Sequence, residues 1–109
     1  MAVNSDLMRG VAEPVILKLL AERTMYGYEI IRLVNERTNG AFEWKEGTLY
    51  PCLHRLEEQG LIESSWQLAG AKPRKYYSIT RKGIAAMEEK VREAKEFVGA
   101  LHLLLGAAN

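Results

Sequence analysis

The chain has 109 residues, with 15 lysines and arginines against 14 aspartates and glutamates, for a formal net charge of +1. A net charge this close to zero does not by itself indicate a nucleic-acid partner, so evidence for one must come from where the charges lie along the chain. Apolar residues make up 48% of the chain and charged residues 27%, as in ordinary globular domains, and one compact domain is expected.

Three function classes are disfavoured by what the sequence lacks. The apolar runs fall short of the roughly 18 residues that cross a bilayer, and the start MAVNSDLMRG lacks the apolar core of a signal peptide, so a cytoplasmic protein is expected. The single Cys52 has no second cysteine for a disulfide or a metal site and is expected in the core. His54 and His102 lie far apart, so we expect no enzyme, no metal and no cofactor.

The first half of the chain predicts two helices. Apolar positions from Leu7 to Glu22 indicate the first, which either kinks at Pro14 or begins near it. Residues 24–26 can cap a second helix, which Asn39 and Gly40 end. Its buried side is predicted to consist of Ile30, Ile31, Leu33 and Val34.

The most informative stretch, 48–80, begins with a third helix. Apolar residues at i, i+3, i+4 and i+7 form one stripe, and four other residues are left facing outward. The stripe is Leu49, Cys52, Leu53 and Leu56, and the outward residues are Pro51, His54, Arg55 and Glu58. If the helix begins near residues 46–48, Pro51 falls in about the first turn, where proline is tolerated. Gly60 is predicted to stop the helix.

Two β-prone runs follow, Leu61 to Gln67 and Lys75 to Ile79, separated by the loop LAGAKPR. Five basic residues and no acidic one lie between positions 72 and 82, namely Lys72, Arg74, Lys75, Arg81 and Lys82. A helix followed by a basic hairpin is typical of a winged helix. Trp66 is predicted to cover the sheet as a core residue. Tyr76 and Tyr77 point to opposite faces, and spacing leaves open which one is buried.

The last predicted element is a long helix after Thr80, a good N-cap. Apolar residues spaced 3 and 4 apart over three heptads indicate a coiled-coil seam, formed by Ile84, Met87, Val91, Ala94, Val98, Leu101 and Leu105. We predict that this seam forms a homodimer, since a helix of about 25 residues spans about 38 Å, more than a small core covers. The alternative is that the stripe packs on the first helix of its own chain.

Four segments in this order make the sequence similar to the PadR family of transcriptional regulators, in its short form with a single C-terminal helix. They are LMRGVAEPVILKLL, YGYEI, EGTLYPCLHRLEEQGLI, and PRKYYSIT with Gly83 behind it. The resemblance implies a mainly α fold with a small β-hairpin: a winged helix-turn-helix at 1–80 and a dimerisation helix at 81–109. It also implies a homodimer on a pseudo-palindromic DNA operator, usually as a repressor, released in many members by phenolic acids or by aromatic or cationic drugs.

Candidate DNA-binding residues follow from this fold, because the start of a recognition helix enters the major groove. Hydroxyls can donate to phosphates, basic side chains can neutralise them, and a narrow minor groove attracts a basic side chain from the wing. The candidates are Lys45, Thr48, Tyr50, His54 and Arg55 on the helix, and Lys72, Arg74 and Lys75 on the wing, with Gly47 and Pro51 beside them. Two alternatives stay open: Tyr50 is half buried, or Arg55 simply pairs with Glu58.

A second candidate site is a dimer interface that also holds an effector, lined by Met8, Met87, Val91, Ala94, Phe97, Val98, Leu101 and Leu105. An ordinary hydrophobic interface is the alternative. A rival function for the whole chain is a winged-helix protein interaction module without DNA or effector binding. The basic wing argues against this rival, because such a module has no need for five unopposed positive charges.

Overall fold

The computed structural model describes residues 5–106, with side chains from Leu7 onward; the last three residues of the predicted 81–109 segment lie outside this range. Helices and strands follow one another in a helix-turn-helix and hairpin order. They are α1 Ser5–Arg9, α2 Ala12–Glu22, β1 Met25–Tyr26, α3 Gly27–Arg37, α4 Glu46–Glu58, β2 Ile62–Ala69, β3 Lys72–Ile79 and α5 Arg81–Leu105. The strands form an antiparallel sheet in the order β1-β3-β2. The predicted winged helix-turn-helix with a long C-terminal helix is confirmed.

The predicted first helix is divided into α1 and α2 at Gly10 and Val11. Pro14 is the third residue of α2, so its missing N–H belongs to a turn whose N–H groups have no partner within the helix. The helix therefore begins near the proline, as one of the two expectations had it. Its inner side supplies fully buried residues to the core, including Ile16 and Leu17 at 0% exposure.

The strand β1 was not predicted, because two residues are too few to show a period. Met25 pairs with Tyr77 and Tyr26 with Tyr76, which adds a third strand to the hairpin. Tyr26 also stands at the N-cap of α3, where its backbone N–H donates to Glu29 Oε1 at 3.1 Å. The helix α3 thus starts directly from a strand.

The predicted apolar stripe of α4 is buried and its four outward residues are exposed, as expected. The predicted position of Pro51 was wrong. It is the sixth residue of α4, in the second turn, so the carbonyl of Gly47 receives no N–H from it. Gly47 is exposed, and water can satisfy that carbonyl. Gly60, at φ 76°, follows the end of this helix as predicted.

The hairpin is longer than predicted. Most of the segment expected as a loop belongs to the strands, and only Gly70, at φ 69°, and Ala71 connect them. Pro73 belongs to the predicted loop LAGAKPR, but in the structure it lies in β3 opposite Leu68. Proline is tolerated there because β1 pairs with β3 only at residues 76 and 77, so the second side of β3 is open at Pro73.

Burial shows which of the two tyrosines of β3 belongs to the core. Tyr77 is 5% exposed and belongs to the core, whereas Tyr76 is half-buried on the other face. The prediction that Trp66 is a core residue was wrong, since 68% of it is exposed. It lies on β2 beyond the part of the sheet that the helices cover, where β-propensity and hydrophobicity do not reveal burial.

The helix α5 begins at Thr80, whose Oγ1 accepts a hydrogen bond from the N–H of Gly83 at 3.0 Å, as the N-cap prediction required. The seam is divided between two environments. Met87, Val91 and Ala94 are half-buried, with α5 packed on α2. The first seam residue, Ile84, is 45% exposed, and the last three, Val98, Leu101 and Leu105, are exposed as well. The alternative of packing within the chain is therefore right for the part of the seam from Met87 to Ala94. Over residues 5–106, no helix is both long and apolar enough to cross a bilayer.

Candidate nucleic-acid interface

A depression of about 440 Å³ lies where the start of α3, the start of α4 and the hairpin meet. Nine residues line it: Tyr26, Gly27, Tyr28, Tyr50, Trp66, Pro73, Arg74, Lys75 and Tyr77. Five of these are aromatic, two are basic and none of the nine is acidic. Hydrogen-bonding hydroxyls, flat rings and positive charge are thus combined on one surface, the combination that suits phosphates and base edges.

Tyr50 enters this surface because position 27 has no side chain. A Cβ atom at Gly27 would lie 2.8 Å from Cζ of Tyr50, closer than real atoms approach. Tyr50 is 42% exposed, so its ring packs against the start of α3 while part of it stays accessible. Tyr50 is therefore exposed rather than half-buried, and its ring remains accessible to a ligand.

Arg74 is held by aromatic contacts on the outer face of the hairpin. Its Cζ lies 4.4 Å from the centroid of the Tyr26 ring, within cation–π distance. That ring is in turn packed edge-on against Tyr76, with centroids 5.5 Å apart. The Arg74 side chain is exposed yet supported, so less side-chain entropy is lost when its guanidinium meets an anion.

The other predicted residues on this side lie around the depression. Lys45 and His54 are exposed on α4 and Thr48 is half-buried, while Lys72 is exposed at the turn end of β3. His54 Nε2 is 3.6 Å from Glu58 Oε2, a pair between two exposed side chains that competes little with another partner. These side chains extend the polar surface along α4 and the hairpin.

Arg55 is separated from this group. It does not pair with Glu58 but lies 3.6 Å from Glu13 on α2, and Glu13 also contacts Lys90 of α5 at 3.0 Å. Glu13 therefore connects α4 to α5 through its two oxygens. The structure assigns Arg55 to the side of α4 on which α2 and α5 pack.

The five basic residues that form one run in the sequence are also divided. Lys72, Arg74 and Lys75 lie on β3, whereas Arg81 and Lys82 follow its other end at the start of α5. Lys82 Nζ donates to the carbonyl of Gln59 at 2.9 Å, beyond the last turn of α4. Of this run, Arg74 and Lys75 line the depression, and Lys72 lies nearer the turn on the same strand.

Two titratable groups lie behind the exposed surface. Burial, together with the nearby Tyr50 and Glu57, raises the pKa of Tyr77. Burial, with a contribution from Glu13, raises the pKa of the Cys52 thiol to about 11. Both groups are therefore neutral near pH 7, and Cys52 is buried in the core, as the sequence predicted. Among the described side chains no cluster of three potential metal ligands is present.

Sequence reasoning missed Tyr26, Tyr28 and Trp66 as members of this surface. The two tyrosines stand in the YGYEI segment, one of the four segments that carry the family resemblance. Tyr28 is 65% exposed and is the second residue of α3, in its first turn. Their exposure has no signature in the sequence, because single exposed apolar residues are common on protein surfaces.

The predicted dimer and effector residues fall in several places. A groove of about 440 Å³ lies between α5 and α2 and is lined on the α5 side by Val91, Ala94 and Val98. The apolar residues opposite are Val11, Pro14, Val15 and Leu19. Charged side chains also line the groove, namely Lys18, Glu22, Arg37 and Lys95. Met87 and Phe97 line two neighbouring depressions. Met8 is a correction: it is 4% exposed and belongs to the core, because α1 folds back onto α2.

Comparison with known proteins agrees with this geometry. The model of the transcriptional regulator PadR-like family matches residues 16–89. A transcriptional regulator of Mycobacterium tuberculosis, Rv3488, is 38% identical over 91 residues, which cover 84% of this chain and 82% of that protein.

Two solved structures are similar over nearly the full length. A transcriptional regulator from Clostridium thermocellum has a TM-score of 0.84 and 34% identity, over 95% of this chain and 99% of the other. A PadR family regulator from Eggerthella lenta has a TM-score of 0.78 and 32% identity, over 94% and 88%. These matches cover the winged helix and reach into α5, and the chain therefore belongs to the PadR-like family of transcriptional regulators.

Proposed function

We propose that the chain is a homodimeric DNA-binding repressor that leaves a pseudo-palindromic operator when a small aromatic or hydrophobic effector binds. The observation that carries DNA binding is the depression between α3, α4 and the hairpin, which combines aromatic rings with Arg74 and Lys75 and has no acidic residue among its nine lining residues. Phosphates supply affinity to such a surface, and base edges supply specificity.

In this proposal, α4 enters the major groove from its N-terminal end. Lys45 and Thr48 contact phosphates, Tyr50 reaches a phosphate or a base edge, and His54 follows one turn later on the exposed side. The helix has few of the Arg, Asn and Gln side chains that read bases, so DNA shape contributes to the choice of site. The cations Lys72, Arg74 and Lys75 lie on the flanking groove.

Dimerisation is supported by the end of α5, where leucines occupy most of the surface and His102 is the polar side chain of the last turn. Leu101 is 40% exposed, and Leu103, Leu104 and Leu105 are between 77% and 84% exposed. A cluster of leucines this large is normally buried, and the rest of the described chain leaves this helix end uncovered. A second copy would cover it and would place two recognition helices about one DNA turn apart.

The groove between α2 and α5 supports effector binding, because it is lined by seven apolar residues and charged side chains stand at it too. An effector there would lie on α2, from which Glu13 reaches both Arg55 of α4 and Lys90 of α5. A shift of α5 relative to α2 would therefore alter the position of α4. The two DNA half-sites would lose their contacts together, so a modest affinity for the effector would be sufficient to release the protein from DNA.

The experiment is a mobility shift with DNA from immediately upstream of the gene, at two salt concentrations, beside an Arg74→Ala variant. We expect saturable binding that weakens with salt and with the substitution, because each lost phosphate contact lowers the salt slope by about one. A protein interaction module predicts the opposite: no binding to this or random DNA even at low salt. The same assay then serves for an effector screen.

A further inference from the structure

The face of the hairpin that packs on α4 continues past the helices as an exposed apolar surface. Directly opposite residues of an antiparallel pair share a face, and this face comprises the pairs Ile62 and Ile79, Ser64 and Tyr77, Trp66 and Lys75, and Leu68 and Pro73. Its first part is core, since Ile62 is 1% exposed and Tyr77 5%. Toward the turn, Trp66 is 68% exposed and Leu68 78%.

A hydrogen bond fixes the direction of this face. Ser64 Oγ donates to Glu57 Oε2 of α4 at 2.6 Å, so the side chains on the Ser64 side of β2 turn toward α4. Trp66 follows two residues later on the same side and borders the depression that Tyr50 and Tyr28 also line. The indole therefore continues the surface that α4 presents to its ligand.

The charges around the exposed apolar end of the hairpin indicate what kind of partner it binds. Trp66, Leu68 and Pro73 adjoin one another and form a contiguous apolar patch, the kind of surface that marks an interaction site. Lys75 shares their face, while Lys72 and Arg74 lie on the opposite face of the same strand. The only acidic residue of β2 and β3 is Glu63, at the other end of the hairpin. The partner must therefore be apolar and strongly anionic at once.

The wall of a DNA groove has this composition, because deoxyribose rings are apolar and the phosphates beside them are charged. Proteins of several folds place apolar side chains against or between the bases of the minor groove. We propose that Trp66 and Leu68 pack on the deoxyribose rings and base edges of the minor groove next to the site of α4, while Lys72, Arg74 and Lys75 hold its phosphates. This inference rests on the proposed function and adds an apolar contact to it.

The salt dependence of binding separates this contact from a phosphate contact. Affinity of the full chain for duplex DNA from upstream of its gene is measured by fluorescence anisotropy at four salt concentrations. We expect Trp66→Ala and Leu68→Ser each to lower affinity tenfold or more with an unchanged slope of log K against log salt. Lys72→Ala should lower the slope by about one, and Gln67→Ala, on the outer face of β2, should change affinity less than twofold.

A spectroscopic test observes Trp66 itself. The chain has two tryptophans, and Trp44 is 3% exposed with an indole N–H that makes no hydrogen bond among the described residues. Trp44→Phe therefore leaves Trp66 as the only tryptophan without removing a hydrogen bond. Adding the same DNA should reduce acrylamide quenching of its fluorescence at least twofold.

The possible outcomes distinguish a failure of this inference from a failure of the proposed function. Unchanged affinity of both hairpin variants, with full quenching of Trp66 in the complex, overturns the inference while leaving DNA binding by the chain in place. A lowered salt slope for Trp66→Ala also overturns it, because the defect would then be in phosphate contacts. Failure of the unaltered chain to bind any duplex at low salt overturns the proposed function and this inference together.

Discussion

Gly27 on α3 lies directly against the ring of Tyr50 on α4, and a Cβ atom at position 27 would lie 2.8 Å from Cζ of that ring. The absence of one side chain thus sets the position of another on the neighbouring helix. Because Gly27 is the first residue of α3, alanine suits its backbone, and the effect of a substitution there is confined to the contact.

We expect Gly27→Ala to displace the Tyr50 ring and to weaken DNA binding about tenfold, the value of one lost hydrogen bond to a charged group. The free energy of unfolding should change by less than about 1 kcal/mol, because the accessible Tyr50 ring can rotate away. A double-mutant cycle provides the control. In a Tyr50→Ala background the Gly27→Ala substitution should cost no further affinity, and a full additional loss there would contradict the role given to Tyr50.

Leu101→Arg should dissociate the proposed dimer and abolish binding to the proposed operator, since it places a charge on the predicted seam of α5, where Leu101 is exposed in the single chain. Sedimentation velocity gives the oligomeric state and a mobility shift gives the DNA binding. Glu96→Arg is the matched control, because position 96 lies on the other side of α5 from Leu101. A Leu101→Arg variant that remains dimeric and binds DNA would contradict the assignment of the seam.

Gly83→Ala should destabilise the fold by about 1 to 3 kcal/mol, the usual cost of overpacking. A Cβ atom there would lie 2.7 Å from Ile79 Cγ1 and would also meet the backbone of Leu61, which cannot move without disturbing the hairpin. Chemical denaturation measures the change. Gly99→Ala on the same helix is the control, since nothing lies within 4 Å of a Cβ atom at that position and alanine favours the helix.

The Cys52 thiol should make stability pH-dependent in a definite window. Its pKa is raised by burial to about 11 in the folded chain, against an ordinary value of 9.0. Below pH 9 the thiol is protonated in both states, and its contribution is fully present. Between pH 9 and 11 the unfolded chain binds fewer protons than the folded one, so stability decreases as pH rises.

The measurement compares unfolding of the unaltered chain with Cys52→Ala from pH 7 to pH 11. The difference between their free energies of unfolding should be constant up to about pH 9. Above that pH, the unaltered chain should lose stability relative to the alanine variant. Tyrosines and lysines also titrate in this range, but they are common to both proteins and cancel in the difference. A constant difference up to pH 11 would refute the burial of the thiol.

Local patterns in the chain predicted the elements that have a strong period or a strong cap. The α4 stripe of Leu49, Cys52, Leu53 and Leu56 repeats at helical spacing, and Thr80 stands before α5 as an N-cap; both are as predicted. The strand β1 escaped prediction since Met25 and Tyr26 are strand residues only because β3 lies beside them. Pairing with a distant strand has no local signature.

The candidate interface shows the same division. The sequence by itself determined the winged helix-turn-helix, the family and a basic hairpin, because periodicity, caps, turn residues and motif order are local properties. Tertiary structure alone decided that Trp66 is exposed, that Arg55 turns to Glu13, and that Gly27 admits Tyr50. Exposure and pairing depend on which distant segment covers a side chain, and residues far apart in sequence meet only when the core forms.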